Sequence, residues 1–199
     1  LRIFFWLRQK LRCVASRPSV DGKMLAIEPR VRCGAHIPKR NAIHLDGISF
    51  RMIYVQGGSI IMQDSDSVGL FSVFSSHASK QVSLSHYYIA EVPVTQELWK
   101  FVMGNNPSTI KGEKRPVDSI SWEDCQTFIF YLNRITNLNF SLPTEAQWEF
   151  AARGGNSSRN LKYAGNDKVD YVAWHWKNSG HQSHEVAKKL PNELGIYDM

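Results

Sequence analysis

Cysteine is scarce in this sequence: three residues, Cys13, Cys33 and Cys125, in a chain of 199. They show no CxxC spacing and no cluster with histidine at metal-ligand distances, which argues against a disulfide framework and a zinc site. Long apolar runs are also missing. The run IFFWL at 3–7 falls short of a signal-peptide core and far short of a membrane span, so the sequence carries no recognisable targeting or transmembrane segment and assigns no compartment.

Nucleotide and nucleophile signatures are absent as well. There is no P-loop, no G-x-G-x-x-G after a strand and no G-x-S-x-G elbow, and no pair of histidines sits four apart on a helix with a glutamate partner. His181 and His184 fall in a polar loop, where solvated histidines are the ordinary reading. The residues alone disclose no catalytic constellation.

Acidic residues are thin at one end. Residues 1–45 hold ten Lys/Arg against Asp21 and Glu28, a net of +8, and the other 154 residues carry 14 basic against 16 acidic, a net of −2. A basic head on a near-neutral body gives the body little electrostatic support for nucleic acid. The head reads as a poorly ordered N-terminal extension over 1–45, with a polybasic arm for a membrane surface or nucleic acid as the competing reading. The domain proper is placed at 46–199.

The body is 43% hydrophobic when the whole chain is counted, enough for one ordinary core. ISFRMIYVQGGSIIM (48–62) reads as two strands joined at Gly57-Gly58, and QVSLSHYYIA (81–90) as another, with Val82, Leu84 and His86 on one face. Thr95 is placed to cap a helix that stops at Gly104, with Gln96 and Glu97 suited to its positive end and Leu98, Phe101 and Val102 on its buried face. Ser121 and Asp124 form a capping-box pattern for a second helix, in which Trp122, Cys125, Ile129, Leu132 and Ile135 recur at helical spacing. Cys125 then reads as a small apolar core residue.

LPTEAQWEFAARGG (142–155) obeys the same grammar, with Thr144 as cap, Gln147 closing the box and Gly154-Gly155 as the stop. Glu145 and Glu149 lie four apart on its surface. Their position in the first turns favours a helix-end role over acid/base work. Beyond Gly155 the chain is loop-rich. Few strands, two or three helices and much irregular backbone indicate an α+β domain.

GGSIIM (57–62), 87–108, RPVDSISWEDC (115–125), LPTEAQWEFAARGG and the segment 172–199 ending LPNELGIYDM occur in an order that resembles the formylglycine-generating enzyme, or sulfatase-modifying factor, family. The resemblance implies a C-type-lectin-like α+β fold with two or three short helices, short antiparallel strands and bound calcium. It also implies oxidation of a client cysteine to formylglycine by oxygen and a copper ion held by two cysteines. Non-catalytic relatives on this fold include cell-envelope proteins and ligand binders, so the partner is a sulfatase-like protein or peptide client if the chain is an enzyme, and a protein or glycan if it is a binding module.

Departures from the family pattern qualify those implications. The family's copper-binding cysteines lie beyond the position of Met199, none of Cys13, Cys33 and Cys125 can stand in for them, and Gln63 replaces a usual glycine. By the resemblance, Asp198 matches a side-chain ligand of one calcium site, while Asn178 and the backbone of Gly180 match ligands of another, whose upstream Asn is replaced near Trp174. The expectation is therefore an incomplete domain over 46–199 with incomplete calcium sites and no catalytic residue of its own.

Overall fold

The computed structural model describes residues 13–15, 40–63 and 79–199. Strands β1 (Val14–Ala15), β2 (Arg40–Leu45), β3 (Ile48–Val55), β6 (Tyr87–Ala90) and β7 (Phe140–Ser141) make a five-stranded sheet in the order β2-β3-β6-β1-β7. Strands β4 (Gly58–Gln63) and β5 (Ser79–Leu84) pair separately. All the pairings are antiparallel. Helices α1 (Gln96–Met103), α2 (Trp122–Thr136), α3 (Glu145–Ala152) and the single turn α4 (Val169–Val172), with a 3-10 turn at Gly155–Ser157, complete the described elements.

The five-stranded sheet is buried on both faces, so its strands alternate between two cores. Met52 and Ala90 join one cluster with Leu98, Trp99, Phe128 and Leu132 of α1 and α2. Ile53, Val55, Tyr87 and Ile89 join the other with Ile60 of β4, Phe150 and Ala151 of α3, and Ile196. Period-two alternation with apolar residues at both phases is the pattern of a strand covered on both sides.

Two strands come from the segment assigned by sequence to a basic extension. Val14 pairs with Ile89 and Ser141, and Cys13 is buried beside Cys125, Phe128 and Met52. Arg40–Leu45 forms a six-residue ladder with β3. The boundary drawn after residue 45 therefore cuts a hairpin at its turn. Asp46 and Gly47 both have positive φ, as a two-residue turn matched to strand twist requires, and Asp-Gly is a strong sequence signal for it. The excess of charge over 1–45 masked that signal. Residues 1–12 and 16–39 of the proposed extension lie outside the described residues.

The 48–62 reading is corrected in its pairing. β3 and β4 are not partners, because the chain passes at Gln56-Gly57 from one sheet to the other. A Cβ on Gly57 would lie 2.5 Å from the Leu84 carbonyl oxygen, so glycine here permits a close approach and not a hairpin turn. The 81–90 strand likewise divides at Ser85-His86. Val82 and Leu84 pack on the second core, whereas His86 is exposed, against the expected common face.

Helix ends follow the sequence closely. Thr95 Oγ1 accepts from Leu98 N–H, and Gly104 closes α1 in the left-handed region. Complete capping boxes form at Ser121/Asp124 and Thr144/Gln147. The buried stripe of α2 is narrower than expected: Cys125, Phe128, Ile129 and Leu132 are buried, while Trp122 and Ile135 are exposed because they flank that stripe on the helix circumference. On α1 the fully covered residues are Gln96, Leu98 and Trp99, with Phe101 and Val102 half-buried. Trp99 stacks on Phe128 at 5.0 Å between ring centroids, which locks α1 to α2.

Candidate functional site

Two buried carboxamides hold the irregular half of the chain against this frame. Gln96 Nε2 donates to the carbonyls of Ile110 and Pro116, and its Oε1 accepts from Asn106 Nδ2 and Gly112 N–H. Asn192 Nδ2 donates to the carbonyls of Ala151 and Ala152 at 2.7 and 3.3 Å, and its Oδ1 accepts from Leu194 and Ile196 N–H. Asn192 thus adds a donor to two carbonyls at the end of α3, of which Ala151 O also accepts Gly154 N–H. The two most distinctive stretches of the sequence, 142–155 and 190–199, meet through this side chain.

Residues 159–190 form a loop body around α4. Asp170 Oδ1 accepts from His175 Nε2 at 2.6 Å and from Asn178 Nδ2 at 3.3 Å. His175 Nδ1 accepts from Lys177 N–H. The hydrogen bond from His175 is the chief reason the Asp170 carboxyl titrates below its ordinary range. Behind this triad, Trp174 stacks on His184 at 3.8 Å and Lys189 lies over the same indole at 4.0 Å. Trp176 is 78% exposed with His181 edge-on at 4.1 Å, and Tyr171 and Leu190, joined to each other by a backbone bond, are exposed as well. The residue pattern gave no warning of Trp176, since alternating aromatics in YVAWHW read equally as core.

The residues matched to calcium ligands fall into different turns. Asn178 Oδ1 accepts His175 N–H at 2.8 Å, and its nitrogen donates to Ala173 O and Asp170. Gly180 follows at a positive φ of 57° with open space around it. Asp198 Oδ2 accepts Ala187 N–H at 2.8 Å. Calcium takes six to eight oxygens. Here the Asn178 amide nitrogen faces the nearest carboxylate, where a cation would meet N–H hydrogens, and among the described residues no three His, Cys, Asp or Glu come together. Asn178 and Asp198 each serve here as a hydrogen-bond partner that shapes a turn.

Cys13 and Cys125 are both buried in the α1/α2 core. Burial is the main cause that pushes the Cys13 thiol up to about 12 and Cys125 to about 11. Copper binds thiolate, so these positions oppose it. Cys33 lies outside the described residues. Glu149 pairs with Arg153 and Glu145 occupies the exposed first turn of α3, so neither faces a shared substrate position.

One cleft opens at the seam between β3, the start of α1 and Val186-Ala187, with a volume of about 420 Å³. Its floor is apolar, and its walls carry Arg51–Glu91 at 2.7 Å and Lys114–Glu97 at 2.5 Å. Glu91 is nearly buried, and its carbonyl accepts Tyr197 N–H. Both pairs are internally compensated.

Residues 48–199 match the model of the sulfatase-modifying factor enzyme 1-like domain. The chain belongs to the sulfatase-modifying factor family. It is 35% identical to the chaperone protein LppX of Paenibacillus barcinonensis, over 63% of this chain and 62% of that one. It is 23% identical to the formylglycine-generating enzyme of Mus musculus, over 86% of this chain and 51% of that one. The chain therefore spans less than two thirds of these curated relatives. Among solved structures, Treponema denticola variable protein 1 superposes with a TM-score of 0.68 at 29% identity, covering 81% of this chain and 73% of that chain. Mixed α+β architecture with short antiparallel strands is thus the sulfatase-modifying factor arrangement, as the sequence resemblance implied.

Proposed function

We propose that this chain is a binding module of the sulfatase-modifying factor fold, which engages a protein partner through the 159–190 loop body and carries out no cysteine oxidation itself. The observation behind this reading is Trp176: a large aromatic 78% exposed on a loop whose backbone and side chains are tied down. A rigid exposed indole is costly in water and is the residue type that anchors protein interfaces. The buried, protonated state of Cys13 and Cys125 supports the absence of oxidative chemistry from the described thiols. The name of the Paenibacillus relative, a chaperone, points the same way. The C-type-lectin-like ancestry implied by the sequence suits ligand presentation on loops, and calcium is not needed for it, since hydrogen bonds already order the turns at Asn178 and Asp198.

Two measurements on the purified 199-residue chain test this. With copper, oxygen and a Cys-x-Pro-x-Arg peptide, no aldehyde should form; aldehyde formation refutes the reading. On an immobilised array of peptides of varied composition, the chain should be retained by a subset, and Trp176→Ala should weaken that retention about tenfold, the weight of an interface anchor. Equal retention by the variant also refutes it.

A further inference from the structure

Acids and bases on the loop body are not treated alike. Asp167 Oδ1 accepts the Lys162 backbone N–H, Asp170 is taken by His175 and Asn178, and Glu185 pairs with Lys188. Arg159 pairs with Glu193, and Lys189 donates to the Asp170 carbonyl. Among the described residues that leaves Lys162, Lys168 and Lys177 exposed without an ion-pair partner. Lys162 and Lys168 lie over the rings of Tyr163 and Tyr171, at 5.4 and 6.0 Å, and Lys177 follows Trp176 directly.

These groups are linked by contact and not only by sequence. Tyr163 bridges to Asn166, which places Lys162 and Lys168 at the two ends of one tight turn. Tyr171 accepts Leu190 N–H at its carbonyl, and Asp170 ties α4 to the 175–178 turn that carries Trp176 and Lys177. Three cations and three exposed aromatics therefore share one braced body. Resting on the binding reading above, we infer that this body takes a short acidic protein segment bearing aromatic or aliphatic side chains. Carboxylates would meet the three lysines, and apolar side chains would cover Trp176, Tyr171 and Leu190. A phosphate backbone is the poorer match, since its affinity grows with the number of cations in register and residues 46–199 carry a net charge of −2. A short acidic segment needs only as many cations as it has carboxylates.

The test is a fluorescence-anisotropy titration of the full chain with three labelled probes: a peptide alternating Glu with Tyr and Leu, the same peptide with Gln for each Glu, and oligothymidylate. The acidic peptide should bind at least about tenfold more tightly than the Gln peptide and weaken as salt screens the lysines. The triple variant Lys162→Glu, Lys168→Glu, Lys177→Glu should lose that preference while its circular-dichroism melt stays unchanged, because the three side chains are exposed. Equal binding of the Glu and Gln peptides overturns the acidic-partner inference and leaves the binding reading standing. Tighter binding of oligothymidylate than of the acidic peptide overturns it in favour of nucleic acid. Binding of neither peptide overturns both.

Discussion

Gln96 and Asn192 are polar, buried and fully engaged, and each fixes a length of backbone that has no ladder of its own. Replacing Asn192 with Ala strands the Ala152 carbonyl and two amides of the 192–196 turn, while the Ala151 carbonyl keeps its bond from Gly154 N–H. We expect a loss of about 2–4 kcal/mol in urea unfolding, since buried groups left unpaired cost more than the bonds themselves return. Asn192→Asp should be comparably damaging, because a carboxylate has no hydrogen to offer the Ala151 carbonyl. Tyr87→Phe is a milder case: it removes a 2.5 Å bond from the phenol to the Gln147 carbonyl and should cost about 1 kcal/mol by the same measurement.

The buried thiols give a residue-scale pH dependence. Their folded values, about 12 and about 11, lie above the ordinary 9.0, so the folded state keeps protons that the unfolded state releases. The stability they contribute is whole below pH 9 and falls as pH rises toward 11. Unfolding midpoints measured between those limits should decline, and Cys13→Ala/Cys125→Ala should flatten the decline. In a Cys33→Ser background, native protein should leave a thiol reagent unreacted until denaturant is added. Prompt reaction would mean that these thiols are not in the core.

Among the elements, the helix starts are the most sequence-determined parts of the fold. Thr144 and Gln147 exchange bonds at the head of α3, as Ser121 and Asp124 do at α2. Thr144→Ala should cost about 1 kcal/mol in thermal or urea unfolding, the usual worth of an N-cap. These signals were legible because a cap is a local bond between residues three apart. Strand partners were not. Nothing within 48–62 states that β3 pairs with β2 and β6 while β4 crosses to β5, because pairing is decided by residues up to forty positions away. Likewise, Trp122 and Ile135 share the helical period of the core residues, and only the width of the facing sheet and α1 decides which of them is covered.

For the molecule as a whole, the placement of β1 between β6 and β7 makes the N-terminal segment part of the core sheet. Deleting residues 1–45 should therefore remove both an inner strand and the outer strand β2, exposing Ile89, Phe140 and Met52. The truncated chain should bind a hydrophobic dye and lose its cooperative melt. A sharp melt near that of the full chain would show that the sheet closes without them. The same deletion bears on any anionic-surface binding by the basic head, so such an assay needs the melt alongside it.

The sequence by itself determined the α+β class, the helix ends and the family, because these rest on capping bonds, short-range periodicity and ordered motifs that survive without neighbours. Tertiary structure alone decided the rest. It recruited part of a basic head into a sheet, since Val14 and Ile43 are buried there while Arg40 stays exposed, so the apolar gain comes without burying that charge. It turned Asn178 toward His175 and Asp170, and it left Trp176 in water while burying Trp99. An indole's fate depends on what lies opposite it, and no residue states that by its own identity or spacing.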